Sequence, residues 1–397
     1  MRDTPISFPL RGRPGPFDPP EVLGQLREER PIAPMRFADG HVGWLVTGYS
    51  AVRAILGDAR FSTRLELGHP IVDVPTAQLS GQTTGPGMFP LMDPPDHTRY
   101  RRLLMAEFTV RRMKRLESRI AEITHGRLDA MEAAGSPADL VAEFASPVPA
   151  LVICELLGVP DEDREEFRLA VEALFCWDTT PKEAQAALAV TLRVFPALIA
   201  RRRAEPTDDI FSGLVHSAEL TDQELATIGY ILLASGLETT ANMLSLGTFA
   251  LLCHPEQKEA LRGDPDLIDT AVEELVRYLS IAQYGSVRTA LEDVEIEGTL
   301  IGKGQSVLVS MSAANRDAAR FGDPDTLDIT RPIGGHIGFG HGFHHCLGQQ
   351  LARAEMRQAF PALLDRFPEL RLAVPPDEVP TAEDRFTYGV HRLPVAW

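Results

Sequence analysis

Cysteine is scarce in this chain of 397 residues, which contains only four. No two of them are spaced as Cys-x-x-Cys, and Cys154, Cys176 and Cys253 lie in apolar segments of helical character, where a reduced and buried thiol is the usual state. We therefore expect no disulfide framework, and the cysteine content is consistent with a cytoplasmic protein.

Positive charge and long apolar runs are scarce as well. The 39 Lys and Arg residues stand against 56 Asp and Glu residues, which gives a formal net charge of −17. Because nucleic acids and anionic membranes bind to cationic surfaces, this balance argues against general binding to either. No stretch approaches the roughly 18 consecutive apolar residues that span a bilayer. The first twenty residues also lack the apolar segment of a signal peptide.

Internal repeats, low-complexity tracts and linkers are not visible either, so the sequence predicts one domain over residues 1–397. Six prolines within the first twenty residues predict an irregular lead-in over residues 1–18. Apolar residues make up 44% of the chain and charged residues 24%, which is ordinary for a globular protein with a large core.

Apolar residues recur at helical spacing from about residue 95 to residue 203, with breaks at turn sequences. Thr221 and Glu224 form a capping box, which opens a predicted helix of about thirty residues that ends near Cys253. Further helices are predicted over 266–279 and 346–367, a long loop over 64–95, and strands at 42–46, 287–289, 294–296 and 307–309. The predicted fold is therefore mainly α with a minor β portion.

The most unusual segment is the run HIGFGHGFHHCLG, which holds four of the eleven histidines and contains Cys346. A thiol at the start of a helix faces the positive end of the helix dipole, which favours the thiolate. Three interpretations compete: a plain glycine-rich turn, a zinc site, and an axial thiolate on haem iron. The zinc site would use His341, His344, His345 and Cys346. A plain turn does not explain the cysteine among histidines, and the zinc ligands would be crowded into six residues.

The pattern Phe339-Gly340-x-Gly342-x-His344-x-Cys346-x-Gly348 resembles the haem-binding signature of the cytochrome P450 superfamily, the haem-thiolate monooxygenases. The resemblance is closest to soluble actinobacterial members, and it implies the cytochrome P450 fold with its long central helix over haem b (iron protoporphyrin IX). It also implies that Cys346 is the axial iron ligand and that Phe339 packs beside the thiolate. His344 would reach a haem propionate, and Gly340 and Gly348 would shape the cofactor-binding loop.

Polar residues interrupt the apolar stripe of the predicted long helix at Ser235, Glu238, Thr239 and Asn242. Polar groups in such a stripe are costly unless they are bonded or have a function. A threonine hydroxyl that bonds back to a carbonyl one turn earlier would account for Thr239 or Thr240, but not for Glu238.

The segment Ser235-Gly236-Leu237-Glu238-Thr239-Thr240 resembles the oxygen-activation motif of the same family. The resemblance implies that Gly236 opens a groove over the haem, that Thr239 hydrogen-bonds dioxygen and that Glu238 relays protons through water. Ser235 and Leu237 depart from the residues most common there, and we expect Ser235 to alter the order of water above the iron.

Three charged residues resemble the invariant core element of the family: Glu274, Arg277 and Arg331. Taken alone, Glu274 and Arg277 would be a surface pair worth less than about 1 kcal/mol; the resemblance makes the three a structural triad. It also assigns His97, Arg101 and Arg288 to the haem propionates, and arginine suits bidentate contacts with carboxylates.

Substrate contacts are implied by resemblance alone, at Met88, Phe89, Phe175, Trp177, Leu232, Ser235, Ala282, Gln283, Thr387 and Tyr388. These residues are mostly apolar, which suits a lipophilic substrate. The chain has no Gly-x-Gly-x-x-Gly segment between a strand and a helix, so electrons from NAD(P)H must come through external partners, a ferredoxin and a ferredoxin reductase. Basic residues around Arg112 and Arg353 are a candidate docking patch for an acidic ferredoxin.

The expected activity is monooxygenation: one oxygen atom of O2 enters a lipophilic natural-product intermediate, such as a macrolide, another polyketide or a terpenoid, by hydroxylation or epoxidation. A peroxygenase or nitric oxide reductase of the same fold and a non-catalytic haem-binding sensor are the alternatives. We expect a cytoplasmic monomer that binds neither nucleic acid nor membrane.

Overall fold

The computed structural model describes residues 5–72, 84–108, 110–175, 179–217, 219–332 and 334–397. The chain divides into two compact units. The first unit comprises Met1–Tyr100, Val276–Leu327 and Ile333–Cys346, and the second comprises Arg101–Leu275, Asp328–Pro332 and Leu347–Trp397. That the two units act as the single domain predicted from the sequence stays a prediction.

Helices dominate the described residues. In chain order they are α1 (Glu21–Glu29), α2 (Tyr49–Gly57), α3 (Asp96–Glu107), α4 (Val110–Ala134), α5 (Pro147–Leu156), α6 (Asp161–Phe175), α7 (Pro181–Ala204), α8 (Ile210–His216), α9 (Asp222–Cys253), α10 (Pro255–Gly263), α11 (Ile268–Leu279), α12 (Met311–Ala314) and α13 (Gln349–Arg366). The strands are β1 (Ile6–Ser7), β2 (Ile32–Arg36), β3 (Val42–Val46), β4 (Phe61–Ser62), β5 (Ala138–Asp139), β6 (Ser286–Ala290), β7 (Val294–Ile296), β8 (Thr299–Ile301), β9 (Ser306–Val309), β10 (Arg371–Leu372) and β11 (Pro394–Ala396). The mainly α prediction with a minor β portion is confirmed.

The first unit contains the larger sheet of the described residues, in the order β1-β2-β3-β9-β6-β4. Strand β9 lies between β3, to which it is parallel, and β6, to which it is antiparallel. Every residue of β9 is buried, as expected for an apolar inner strand covered on both faces. Val52 and Ile55 of α2 belong to the same core cluster as Val307 and Val309 of β9. This packing fixes α2 against the sheet.

The predicted irregular lead-in over residues 1–18 is wrong at one point. Ile6 and Ser7 form β1, which runs parallel to β2 and pairs with Met35 and Arg36. The neighbouring prolines still leave no room for a helix, but a two-residue strand needs only a sheet edge to pair with. The edge is formed by residues distant in sequence, so proline spacing gives no sign of it.

The second unit is built around α9, which packs against α5, α7 and α13. Thr221 and Glu224 form the predicted capping box, and the helix ends at Cys253 before His254 and Pro255. Its length of 32 residues agrees with the prediction. The last helix, α13, begins at Gln349 with Gly348 as its N-cap, so Cys346 precedes the first helical residue by three positions rather than opening the helix.

One helix among the described residues, α7, is long enough and apolar enough to cross a membrane by length and composition alone. The sequence-based search missed it because it counted consecutive apolar residues, and α7 mixes polar residues with apolar ones. The helix packs against α6 and α9 and ends in three arginines. Of the apolar window in α7, 31% is buried.

Candidate functional site

The cysteine loop of the first unit is a tight backbone turn that brings Phe339 next to Cys346. The Cys346 N–H donates a hydrogen bond to the Phe339 carbonyl at 2.9 Å. Gly340 and Gly342 have φ values of +75° and +71°, a region that favours glycine. A Cβ on Gly342 would overlap the carbonyl of Leu56 in α2. The glycine spacing of this loop is therefore required by its backbone conformation and by its contact with α2.

The Cys346 thiol is exposed, whereas the Cys154 thiol is buried and the Cys253 thiol is half-buried. Burial raises the pKa of Cys154 to about 12 and that of Cys253 to about 11, so both stay protonated at neutral pH. Among the cysteines that the structure describes, Cys346 is thus the thiol that a ligand can reach; Cys176 lies outside the described residues.

Two histidines of the first unit lie together beside the cysteine loop. The ring of His344 is 4.2 Å from the ring of the buried His97, measured between centroids. The His344 Nε2 atom is 3.3 Å from the Thr63 hydroxyl, and the Thr63 N–H donates to Asp93 at 3.0 Å. The structure therefore brings together the two predicted propionate-binding histidines.

Arg288 is a buried cation on β6, only 6% exposed, in the same unit. Its Nη1 donates to the Val287 carbonyl at 2.9 Å and to the Ser286 hydroxyl. Burial lowers the pKa of Arg288 to about 10, against the opposing effect of the Asp93 charge. The charge of Asp93 therefore does not offset the cost of burying the Arg288 guanidinium. An anionic ligand bound beside the guanidinium would offset that cost.

The zinc interpretation of the cysteine loop is not supported by the geometry. Across the described part of the chain, no three His, Cys, Asp or Glu side chains are placed to hold a metal ion together. His341 instead lines an open groove of about 710 Å³ with Tyr49, Arg53 and Gly57 of α2. Burial and the nearby Arg53 charge lower the pKa of His341.

In the second unit, α9 is buried along most of its length, but Ser235, Gly236 and Thr239 remain accessible. The Thr239 hydroxyl donates to the Ser235 carbonyl at 2.6 Å, the bond to a carbonyl one turn earlier that the sequence left open. A Cβ on Gly236 would lie 3.0 Å from the Ile153 side chain of α5. This glycine therefore serves the close packing of α5 on α9.

Glu238 is buried next to this accessible stripe, where it is bonded to the C-terminal segment. The Thr387 hydroxyl donates to Glu238 Oε1 at 2.8 Å, and the Asn242 amide donates to the same hydroxyl at 3.0 Å. The guanidinium of Arg385 lies 4.0 Å from Glu238 Oε1. Thr387 was predicted as a substrate contact, and Arg385 was not predicted at all, because nothing in the local sequence links residue 385 to residue 238.

The three core charges are all hydrogen-bonded. Glu274, only 1% exposed, accepts hydrogen bonds from Arg331 Nε at 3.2 Å and from the Asp328 N–H at 3.0 Å within the second unit. Arg277 lies in the first unit and donates from Nη1 to the carbonyls of Asn315 and Pro324, both at 2.8 Å. Glu274 and Arg277 are both buried, so these bonds hold chain segments together. That Glu274, Arg277 and Arg331 act as one structural triad stays a prediction.

Comparison of the sequence with known proteins shows the family to which the chain belongs. A model of the cytochrome P450 family matches residues 212–395. Cytochrome P450 105C1 of a Streptomyces species is 49% identical over 382 residues, which are 96% of each chain. The chain belongs to the cytochrome P450 family. Pentalenic acid synthase of Streptomyces avermitilis is 44% identical, with 99% of this chain and 98% of that protein covered.

A crystal structure of the P450 named CYP105P1, in complex with filipin I, has a TM-score of 0.92 and 41% identity over 99% of both chains. The P450 fold predicted from the sequence is thereby confirmed, and so is the prediction of a P450 monooxygenase, whose family uses haem iron, O2 and external redox partners. The alternative of a non-catalytic sensor has no support among these relatives.

The residues of this P450 fit a haem. An accessible thiol in a glycine loop is the axial donor that haem iron accepts in such enzymes. An anion beside the buried guanidinium of Arg288 would stabilise its charge. A haem supplies such anions, because it carries two propionates. Of the other predicted cofactor contacts, Arg101 is partly buried in α3 and Gly348 caps α13.

Replacement of Arg288 by Met should have opposite effects on the haem-free and the haem-loaded protein. The cost of burying the guanidinium is present in full below about pH 10, so its removal should leave the haem-free protein at least as stable at pH 7. Haem should dissociate about ten-fold faster or more, since a charged hydrogen bond contributes ~1.5–3 kcal/mol. Urea unfolding and haem transfer to apomyoglobin measure the two effects; unchanged haem dissociation would contradict the assignment.

The predicted substrate contacts differ widely in their burial. Tyr388 is fully buried in the core, and Gln283 is buried and accepts a hydrogen bond from Arg13 at 3.0 Å. Phe89 and Leu232 are buried, while Met88 and Ala282 are partly buried. Of the predicted contacts, Ser235 is well exposed. Trp177 lies outside the described residues, and the structure describes only the backbone of Phe175, the last residue of α6.

The predicted docking patch for ferredoxin is largely neutralised by ion pairs within the second unit. Arg353 is held by two bonds to Glu273, and Arg357 pairs with Asp269. Arg112 pairs with Glu107 and Asp208. The sequence could not show these pairs, because most of the acids come from distant segments. Charge reversal at Arg112 or Arg353 would therefore disturb the fold before it reported on docking.

Proposed function

We propose that this P450 inserts one oxygen atom of O2 into a lipophilic natural-product intermediate, such as a macrolide, another polyketide or a terpenoid, by hydroxylation or epoxidation. The observation that carries the proposal is the accessible stripe of Ser235, Gly236 and Thr239 beside the buried carboxylate of Glu238. The named product pentalenic acid and the bound filipin I of two relatives, both organic molecules, support a small-molecule substrate.

In the first unit, we assign the axial ligand to Cys346 and the propionate contacts to His97, Arg288 and His344, with Arg101 of the second unit as a further contact. The Phe339 carbonyl accepts from the Cys346 N–H, which fixes the loop around the sulfur. We also assign the Phe339 side chain to a place beside the thiolate, as the family resemblance implies. When bound, the haem supplies the iron at which O2 is reduced and its O–O bond is cleaved by two electrons and two protons.

In the second unit, Glu238 and Thr239 hold and move the protons. The Thr239 hydroxyl carries a single proton, which the Ser235 carbonyl accepts. Donation to O2 therefore requires the side chain to rotate away from that carbonyl. The Thr387 hydroxyl holds the Glu238 carboxylate by a hydrogen bond. Glu238 relays protons through water to the Thr239 hydroxyl.

Electrons reach this P450 from NAD(P)H through a ferredoxin reductase and a ferredoxin, as its family membership supports. We further propose that the protein is a cytoplasmic monomer. The strong negative charge of the chain and its four scattered cysteines support that location.

Replacement of Thr239 by Ala should uncouple O2 reduction from product formation. Without the hydroxyl, proton delivery fails and reduced oxygen leaves as peroxide, so product per NAD(P)H should fall about ten-fold or more. The measurement compares NAD(P)H, peroxide and product with a reconstituted ferredoxin system. Thr227→Ala is the matched control, because that hydroxyl also bonds to a carbonyl four residues earlier on α9 but lies near the start of the helix, away from Glu238 in the chain. Coupled turnover in Thr239→Ala would contradict the proposed function.

A further inference from the structure

The C-terminal segment at residues 385–389 is packed closely against α9 in the second unit. A Cβ on Gly389 would overlap the Asn242 amide, so the segment meets the helix through its backbone at this point. The approach places the Thr387 hydroxyl between Asn242 and Glu238, at 3.0 Å and 2.8 Å. A residue 149 positions away from Glu238 thus makes a direct bond to the carboxylate.

The direction of these hydrogen bonds is fixed by the chemistry of the groups. The Asn242 Nδ2 atom can only donate, so the Thr387 hydroxyl must accept from it. The single proton of that hydroxyl is then directed at Glu238 Oε1, which has to accept. The arrangement therefore suits an ionised carboxylate, and the guanidinium of Arg385 at 4.0 Å favours the same charge state.

We propose that Thr387 is a positioning residue for oxygen activation, which orients the Glu238 carboxylate and stabilises its ionised form through the relay from Asn242. The inference rests on the proposed proton-relay function of Glu238. It replaces the predicted substrate contact at Thr387, whose hydroxyl has its proton committed to Glu238. A carboxylate that is held in one orientation takes up a proton from solvent and returns to the same place after each transfer.

The test uses Thr387→Val, which keeps the shape of the side chain and removes its hydroxyl, with Thr387→Ser as the rescue variant. Thr248→Val is the control, since the Thr248 hydroxyl is buried on the same helix as Glu238 but bonds only to the Leu244 carbonyl among the described residues. The first readout is the infrared carboxyl band of the resting protein, assigned by its loss in Glu238→Gln. In Thr387→Val the protonation midpoint of Glu238 should rise by about one pH unit, since one hydrogen bond to a charged group is lost.

The second readout is turnover with the reconstituted redox partners. Thr387→Val should lower product per NAD(P)H several-fold and enlarge the solvent isotope effect on product formation, with KM unchanged. Thr387→Ser should restore both. A Thr387→Val variant that matches Thr248→Val in the infrared and in coupling would overturn the proposal, and so would a change in KM alone.

The same set of variants separates this inference from the proposed function. Full coupling in Glu238→Gln would refute the proton-relay function of Glu238 and with it the catalytic meaning of Thr387. An infrared shift in Thr387→Val would then still show that Thr387 holds the carboxylate. Uncoupling in Glu238→Gln without any effect of Thr387→Val would refute the inference and leave the proposed function intact.

Discussion

Replacement of Cys346 by Ala is expected to reduce product formation by more than about 100-fold, the largest effect of any single change in this chain. Even outer partners of a metal site cost ~10–100-fold when they are removed, and Cys346 is proposed as the ligand itself. The thiolate also pushes electron density toward O2, which no neighbouring histidine would do. The measurement is product formation per haem with a reconstituted ferredoxin system, beside the haem content of the purified variant.

Cys253→Ala is the control for this prediction, because Cys253 ends α9 and its thiol is half-buried. Alkylation of the haem-free protein gives an independent test. The raised pKa values of Cys154 and Cys253 leave both as slow-reacting thiols at pH 8, so Cys346 should be modified before either of these two, and bound haem should protect it. Equal activity of Cys346→Ala and Cys253→Ala would remove Cys346 from the site.

Replacement of Glu274 by Ala should lower the free energy of unfolding by about 3–5 kcal/mol, the range for breaking a buried ion pair from one side. Glu274 is 1% exposed, and its loss leaves both the Arg331 guanidinium and the Asp328 N–H without their acceptor on α11. Urea unfolding of the haem-loaded protein, followed by circular dichroism, measures the change.

Glu259→Ala is the matched control for this effect. Like Glu274, Glu259 pairs with an arginine: Arg262, on the same helix, at 2.8 Å. The Glu259 side chain, however, is 56% exposed. Exposed pairs contribute only about 0–1 kcal/mol, so the two glutamates should differ by several-fold in their effect on stability. Similar losses in the two variants would mean that Glu274 is an ordinary surface partner and that the buried contacts of the triad contribute little.

Local sequence signals were sufficient for much of the fold, and they singled out the central residue of the proposed site. The capping box at Thr221 and the His254-Pro255 stop define α9 because helix termini are determined by a few adjacent residues. The apolar residues Trp44, Leu45 and Val46 likewise predicted a strand at 42–46, which is β3. Cys346 was singled out because its loop has a long and specific motif, in which Gly340 and Gly342 have positive φ values.

Contacts between distant segments account for what the sequence did not predict. Strand β1 depends on the edge of β2, and the Arg353 pair depends on Glu273, 80 residues earlier. Thr387 and Arg385 reach Glu238 only after the C-terminal segment has packed on α9. Tyr388 and Gln283 were predicted as substrate contacts from the family resemblance alone, and packing buries both.

The most direct test of the central claim is the absorption spectrum of the purified protein, reduced and exposed to carbon monoxide. Haem bound through the Cys346 thiolate predicts a strongly red-shifted Soret band in the wild-type protein and its loss in Cys346→Ala. A band at the position of imidazole ligation in the wild-type protein would contradict the claim, and so would the absence of any haem band after haem supplementation.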